Sequence, residues 1–345
     1  MVSDIIRTMK VSELGEFGLI DRLAEMVGHS QSRQKSPLII GIGDDTAAWQ
    51  GDSSVQLATV DSLVESVHFT LDTASYEEVG WKSLAVNLSD IAAMGGQPEY
   101  ALVSLGLPGD TNIEDITDLY RGMLALAEQF QVRIIGGNVV SAPQLVINVT
   151  VFGSAISRDS LLTRSTARPG DRVAVTGPLG AAAAGVEMLG KGLEFEPEVV
   201  VALRNALLRP LPRIAEGQLL VEHDVRAAID ISDGLIADLD HICQASRVGA
   251  RIEADRVPVA LPVQASFGER ALGLALAGGE DYELLFTASA DRVEKVRKAA
   301  TCPICAIGEV VIDDKHRVML VDSQGSPVSP SGKGWDHFRV ERGRR

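Results

Sequence analysis

The chain is short of cysteine, of positive charge and of long apolar runs, and each shortage removes a class of protein. Its cysteines, Cys243, Cys302 and Cys305, are odd in number and gathered in the last third of 345 residues, so a disulfide framework is not supported. Cys302 and Cys305 have CxxC spacing, but a zinc site needs two further ligands and none stands at a suitable spacing, so the cysteines read as ordinary buried thiols. No stretch reaches the roughly 18 apolar residues of a membrane span. Residues 1–10 carry no apolar signal core, so the expected location is cytoplasmic. Lys and Arg number 32 against 47 Asp and Glu, a formal charge of −15, which repels a phosphate backbone and argues against nucleic acid as a partner. The HExxH, GxSxG and kinase HRD signatures are absent. The GxxxxGKG run from Gly185 to Gly192 is a decoy: Gly192 replaces the Ser or Thr of a P-loop, and the helix precedes the glycines instead of following them. If the ligand of so acidic a chain is a phosphate compound, metal ions must bridge the two.

What is present is the material of a folded protein. Hydrophobic residues make up 46% and charged residues 23%, and the length fits about two domains. Helical periods predict helices over 12–27, 76–94, 113–130, 181–189, 199–208, 214–221 and 235–246, the second ending at Gly95-Gly96. Apolar runs predict strands over 38–40, 55–60, 100–105, 132–135, 145–152, 172–176 and 227–231. Pattern breaks at 158–170 predict a domain boundary, and Trp335 and Phe338 predict that the polar tail folds back.

Several acidic segments sit beside glycine or between apolar runs. Gly41-Ile42-Gly43-Asp44-Asp45 follows a strand, where adjacent carboxylates and a close backbone suit either a hard cation or an Asx-type turn. Asp61 follows a strand, with Ser62, Glu65 and His68 after it; a lone His is more often a packing residue than a ligand. Ile229-Asp230-Ile231-Ser232-Asp233-Gly234 places two carboxylates at a strand-to-helix turn, able to share a metal; taken alone, Asp233 is better read as a helix cap. Asp90 lies in a helix too apolar to be a solvated face, so it needs a partner. Gly278-Gly279-Glu280-Asp281-Tyr282-Glu283 raises the same question between two apolar runs.

Taken in order, these segments resemble the thiamine-monophosphate kinase family. Its pattern of G-I-G-D-D, T-D-x-L-V-x-x-x-H-F, K-A-L-A-V-N-L-S-D, G-G-D-T, L-T-R-x-x-x-x-P-G-D, I-D-x-S-D-G-L, G-G-E-D-Y-E-L and K-G-[WY]-D-H-F is met from Gly41, Asp61, Lys82, Gly136, Leu162, Ile229, Gly278 and Lys333. The resemblance implies an α+β fold. Residues 1–160 would form an aminoimidazole ribonucleotide synthetase-like α/β sandwich that binds ATP and Mg²⁺ and pairs with its twin in a homodimer. Residues 161–345 would form an α+β domain closing the active site. It implies direct in-line transfer of the ATP γ-phosphate to thiamine monophosphate with several Mg²⁺ ions and no covalent phosphoenzyme. Asp44, Asp45, Thr59, Asp61, Asp90, Asp230 and Asp233 would be metal ligands, with Asp61, Asp230 and Asp233 central to catalysis. Tyr120, Gly137, Asn138, Arg164 and Ser232 would contact nucleotide, and His68, Glu280 and Trp335 thiamine phosphate.

Two departures stand out. Gly136-Gly137-Asn138-Val139 replaces G-G-D-T, and Val60-Asp61 replaces T-D. If Asp61 and position 138 serve one ion, as the family pattern implies, that ion keeps only Asp61 as a charged ligand. A homologue that binds nucleotide without turnover, or a kinase with another acceptor, is the alternative. Of the wider superfamily, selenide water dikinase needs a reactive residue near the N-terminus and the hydrogenase maturation factor a C-terminal Cys. This chain has its first Cys at 243 and ends Gly343-Arg344-Arg345.

Overall fold

A computed structural model describes residues 54–328 and, before them, residues 9, 19, 22–23, 25–29, 38–40 and 48–49. The architecture is α+β in two units, Met1–Ile91 with Gln97–Ala155, and Ala92–Gly96 with Ile156–Arg345.

In the first unit, β1 (Leu38–Ile40) pairs antiparallel with β2 (Ala48–Trp49), a short strand that the apolar pattern does not mark. Strands β3 (Val55–Val64), β4 (Gln97–Leu107), β5 (Arg133–Ser141) and β6 (Val146–Ala155) form a sheet in the order β3-β6-β4-β5. Only β4 and β5 run parallel. On β6 every second residue is buried, so one sheet face lies on a core and the other is more open. Helices α1 (Tyr76–Ala93) and α2 (Ile113–Phe130) supply that core. They touch backbone to backbone: a Cβ on Gly80 would lie 1.8 Å from the Leu119 carbonyl oxygen, and one on Gly122 1.8 Å from that of Glu77. Within the predicted first helix, Leu19, Leu23 and Val27 are helical and buried, an i, i+4, i+8 stripe.

The strand predicted to stop at Ile135 continues through Gly136-Gly137-Asn138. The reason is close approach: a Cβ at Gly137 would lie 1.8 Å from the Val103 carbonyl oxygen of the neighbouring strand, so the glycine that looks like a breaker is required by the pairing.

The second unit is built on a seven-stranded sheet. Its strands are β7 (Arg172–Thr176), β8 (Ala227–Asp230), β9 (Gly249–Glu253), β10 (Leu284–Ala288), β11 (Ile304–Val311), β12 (Val318–Val321) and β13 (Pro327–Val328), in the order β13-β12-β9-β11-β7-β10-β8. Helix α6 (Leu235–Ser246) packs Leu235, Leu239 and Ile242 against Val173, Val175, Ile229 and Ile252. A second cluster joins α3 (Ala181–Lys191), α4 (Pro197–Leu208), α7 (Leu261–Phe267) and α8 (Ala271–Ala277) through Met188, Leu203, Val263 and Phe267. Helices α5 (Ile214–Glu222) and α9 (Ala290–Ala299) complete the described elements of this unit larger than one turn. The GxxxxGKG decoy lies along α3 and at its end, Gly192 being the C-cap. No described helix is long and apolar enough to cross a membrane.

Candidate active site

In the first unit, α1 projects two polar residues one turn apart onto the edge strand β3. Thr59 Oγ1 donates to Asp90 Oδ2 at 2.5 Å, and the Asp61 N–H donates to Asn87 Oδ1 at 3.0 Å. Asp90 has therefore found a partner, and it is a hydroxyl. Asn87 is fully buried and also donates Nδ2 to the Ser83 carbonyl, 3.0 Å away, so it fixes the backbone that carries Asp61. The sequence reading missed Asn87; its signal was an amide three residues before Asp90 in an apolar helix. Beyond the strand end, His68 Nδ1 accepts from the Val64 N–H at 3.0 Å, which puts the proton of a neutral ring on Nε2.

The sheet also overturns one expectation. Asp61 stands opposite Val149, Val149 opposite Val103, and Val103 opposite Gly137. Three interstrand steps of roughly 4.8 Å each separate these positions. Asp61 and Asn138 lie on opposite edges, so within one chain they do not meet at one ion. Asn138 instead ends a row of neutral side chains, Ser62, Asn148, Ser104 and Asn138, one per strand, in which Ser62 Oγ donates to Asn148 Oδ1 at 2.5 Å. Gly137 and Asn138 are exposed, whereas Tyr120 is a core residue of α2 at 4% exposure, its phenol pushed up by burial.

In the second unit, the acidic segments that follow β8 and precede β10 are laced together. The Glu280 N–H donates to the Ser232 carbonyl at 2.8 Å, the Tyr282 N–H to that of Ile231 at 2.9 Å, and the Ile231 N–H to that of Glu283 at 2.8 Å. Gly279, Glu280 and Tyr282 have φ of 69°, 60° and 50°. Two of these are side-chain-bearing residues in the left-handed region, a conformation costing of order 1–3 kcal/mol each, which the surrounding hydrogen bonds maintain.

The carboxylates that look alike in sequence have separate jobs. Asp281 accepts the Gly180 N–H on both oxygens, at 2.9 and 3.0 Å, at the start of α3. Its carboxyl is pushed up to about 8: burial raises it, the Gly180 and Ala182 N–H groups pull it back, and the charges of Glu283 and Glu280 add to the rise. Glu283 is bound by Arg213 and Thr176. Neither role is legible in the sequence, because Gly180 lies 101 residues from Asp281 and Arg213 lies 70 residues from Glu283. Glu280 is left partly exposed beside Ser232.

Asp230 is buried at the end of β8, and Asp233 is partly exposed. Asp233 does not cap α6. Gly234 is the N-cap, with φ 120° and no side-chain cap bond, and the cap is supplied from inside the helix by Asp238. Burial pushes the Asp238 carboxyl up to about 7; the charges of Asp230 and Asp233 push the same way, against the Asp233 and Gly234 N–H groups. Asp233, Asp238 and His241 place ligand atoms within 4.8 Å of one another. The two carboxylates of this group offer the oxygen donors that a hard divalent cation such as Mg²⁺ takes, while the imidazole of His241 is a softer nitrogen donor that does not favour Mg²⁺. Arg164 exposes its side chain, while its carbonyl accepts from Ser246 Oγ at 2.7 Å. Asp44, Asp45 and Trp335 lie outside the described residues. Of the cysteines expected to be buried only Cys243 is, Cys302 and Cys305 being half-buried around the start of β11. Desolvation nonetheless raises all three thiols, Cys302 to about 11 and Cys243 to about 12, which disfavours the reactive thiolate.

Residues 43–155 match the AIR synthase related protein N-terminal domain and residues 168–321 the C-terminal domain, so the fold is that of a two-domain AIR synthase related protein. Thiamine-monophosphate kinase of Bacillus subtilis (strain 168) is 38% identical over 94% of this chain and 100% of its own length; that of Escherichia coli (strain K12) is 36% identical over 94% and 98%. The crystal structure of thiamine-monophosphate kinase from Stenotrophomonas maltophilia K279a superposes with a TM-score of 0.80 at 34% identity, covering 89% of this chain and 96% of that one. AaThiL complexed with AMPPCP and TMP gives 0.74 at 35%, covering 96% and 99%. The chain belongs to the thiamine-monophosphate kinase family, a family of enzymes. Hydrogenase maturation protein HypE, at 19% identity and a TM-score of 0.71, shares the fold alone.

Proposed function

We propose that this chain phosphorylates thiamine monophosphate to thiamine diphosphate, with ATP as phosphoryl donor, by direct in-line transfer. The observation that supports it most is the crowding of Asp230, Asp233 and Asp238, beside a partly exposed Glu280 on a strained loop, in a chain similar over almost its whole length to thiamine-monophosphate kinases. Asp44, Asp45, Thr59, Asp61, Asp90, Asp230 and Asp233 would hold Mg²⁺, which when bound neutralises charge on the transferring phosphoryl group. Arg164 offers an exposed guanidinium to the nucleotide phosphates, with Gly137, Asn138 and Ser232 as further nucleotide contacts; Tyr120, buried in the core, is not exposed enough to be one. His68, Glu280 and Trp335 hold thiamine monophosphate, His68 through its Nε2–H and Trp335 by stacking on the cationic ring. The proposed assembly is a homodimer through the first unit. Its four-stranded sheet presents Val60, 61% exposed, and Val140, 49% exposed, on its two edge strands.

Incubation of the purified protein with ATP, Mg²⁺ and thiamine monophosphate, with ADP and thiamine diphosphate followed by chromatography, tests the reaction. Matched appearance of both products is expected, and Asp230→Asn abolishes it. ATP binding without either product would replace this reading by that of a homologue without turnover.

A further inference from the structure

We propose that Asp238 is a positioning residue of this site: its carboxylate sets the shape of the turn that carries Asp230 and Asp233. The inference deepens the proposed function and rests on it.

A helix begins with N–H groups that no earlier carbonyl can satisfy, and a side chain at the N-cap usually accepts one of them. At α6 the N-cap is Gly234, which has no side chain to offer. Asp238, in the first turn and 2% exposed, reaches back instead. Its Oδ2 accepts three consecutive N–H groups, from Ser232 at 3.1 Å, Asp233 at 3.1 Å and Gly234 at 3.0 Å. The Asp238 N–H donates in turn to the Gly234 carbonyl at 3.0 Å, so turn and helix close on each other. From the other side, Glu280 and Tyr282 donate to the carbonyls of Ser232 and Ile231. There is no slack: a Cβ at Gly279 would lie 2.6 Å from the Ser232 carbonyl oxygen.

The turn is thus clamped by one carboxylate oxygen and by one strained loop; of the two carboxylates proposed as ligands, Asp233 is on a clamped residue and Asp230 stands two residues before the first of them. Capping from within the helix frees Asp233 from the role that its place before the helix would assign it. Asp238 acts through the backbone of Ser232 to Gly234. What matters is therefore the position of an acceptor oxygen, more than the charge it carries.

That distinction gives the test, with two conservative variants. Asp238→Asn keeps an acceptor oxygen at the same distance from the backbone and removes the charge. Asp238→Glu keeps the charge and moves the oxygens by one methylene. Two quantities are measured for each: Mn²⁺ binding to the nucleotide-free protein, by electron paramagnetic resonance, and kcat with ATP and thiamine monophosphate. Positioning predicts Asp238→Asn within about fivefold of the parent in both, and Asp238→Glu weaker in both by about 10-fold or more, as for displaced outer-shell partners of metal ligands. The reverse ranking, with Glu retained and Asn lost, would show a direct charged ligand and overturn the proposal, as would parent-like values for both. If the parent protein forms no thiamine diphosphate, the Mn²⁺ ranking still decides the role of Asp238, and the failure belongs to the proposed reaction.

Discussion

Arg213 meets Glu283 across 70 residues with two hydrogen bonds, Nε to Oε2 at 2.6 Å and Nη2 to Oε1 at 2.5 Å. Thr176 Oγ1 adds a third, at 2.5 Å to Oε2. Glu283 is 7% exposed, and Gly177 has φ 54° where a Cβ would lie 2.1 Å from its Oε1. The fork thus ties the start of α5 to the ends of β7 and β10, beside the strained loop that presents Glu280.

Breaking this pair by removing one partner strands the other charge. Glu283→Ala is expected to lower the unfolding free energy by about 3–5 kcal/mol, read from urea denaturation. Arg213→Lys loses the two-pronged geometry and is expected to be destabilising as well. A loss under about 1 kcal/mol for Glu283→Ala, the range of exposed pairs, would mean that the fork is not what holds these elements.

Thr59 and Asp90 form the corresponding contact in the first unit. Thr59→Val keeps the shape but removes both a proposed metal ligand and the hydrogen bond to Asp90; it is expected to cut activity by at least the roughly 10- to 100-fold that loss of a ligand's orienting partner costs, and to raise the Mg²⁺ requirement. Thr59→Ser is expected to stay close to the parent. Titrating activity against Mg²⁺ checks both, and a parent-like Thr59→Val would remove the hydroxyl from the site.

Asp281 predicts a pH dependence of stability. Its carboxyl, held up to about 8 by burial, lies above the ordinary unfolded value of 3.8, so the folded protein binds the extra proton between those limits. Stability contributed by this group is present at low pH and falls as pH rises toward 8. Asp281→Asn is expected to flatten that decline in urea midpoints taken from pH 5 to pH 9. An unchanged slope would place the decline on other groups.

Gly137→Ala tests why a glycine sits inside β5. The added Cβ would overlap the Val103 carbonyl oxygen at 1.8 Å, and the pairing of β4 with β5 has to give way. A loss of about 3 kcal/mol or more is expected, at the upper end for overpacking, measured by thermal unfolding. A protein as stable as the parent would show that the edge strand can move without cost.

Much of this protein is written in local pattern. The helices at 113–130 and 235–246 and the strand at 172–176 match α2, α6 and β7 end for end, because helical and strand periods act within a few residues. The ordered acidic blocks, in a chain of formal charge −15, are legible in the sequence as candidates for binding a phosphate compound through metal ions. What local pattern could not carry is who faces whom. That β3 and β5 are opposite edges, that Gly136-Gly137 lies within a strand, and that Asp238 caps a turn beside Asp233 all depend on contacts between distant segments. The same holds for the four carboxylates Asp238, Glu280, Asp281 and Glu283, which are chemically alike in the sequence. Tertiary packing decided which of them binds backbone, which binds Arg213 and which stays partly exposed, because a carboxylate takes its role from the donors that surround it.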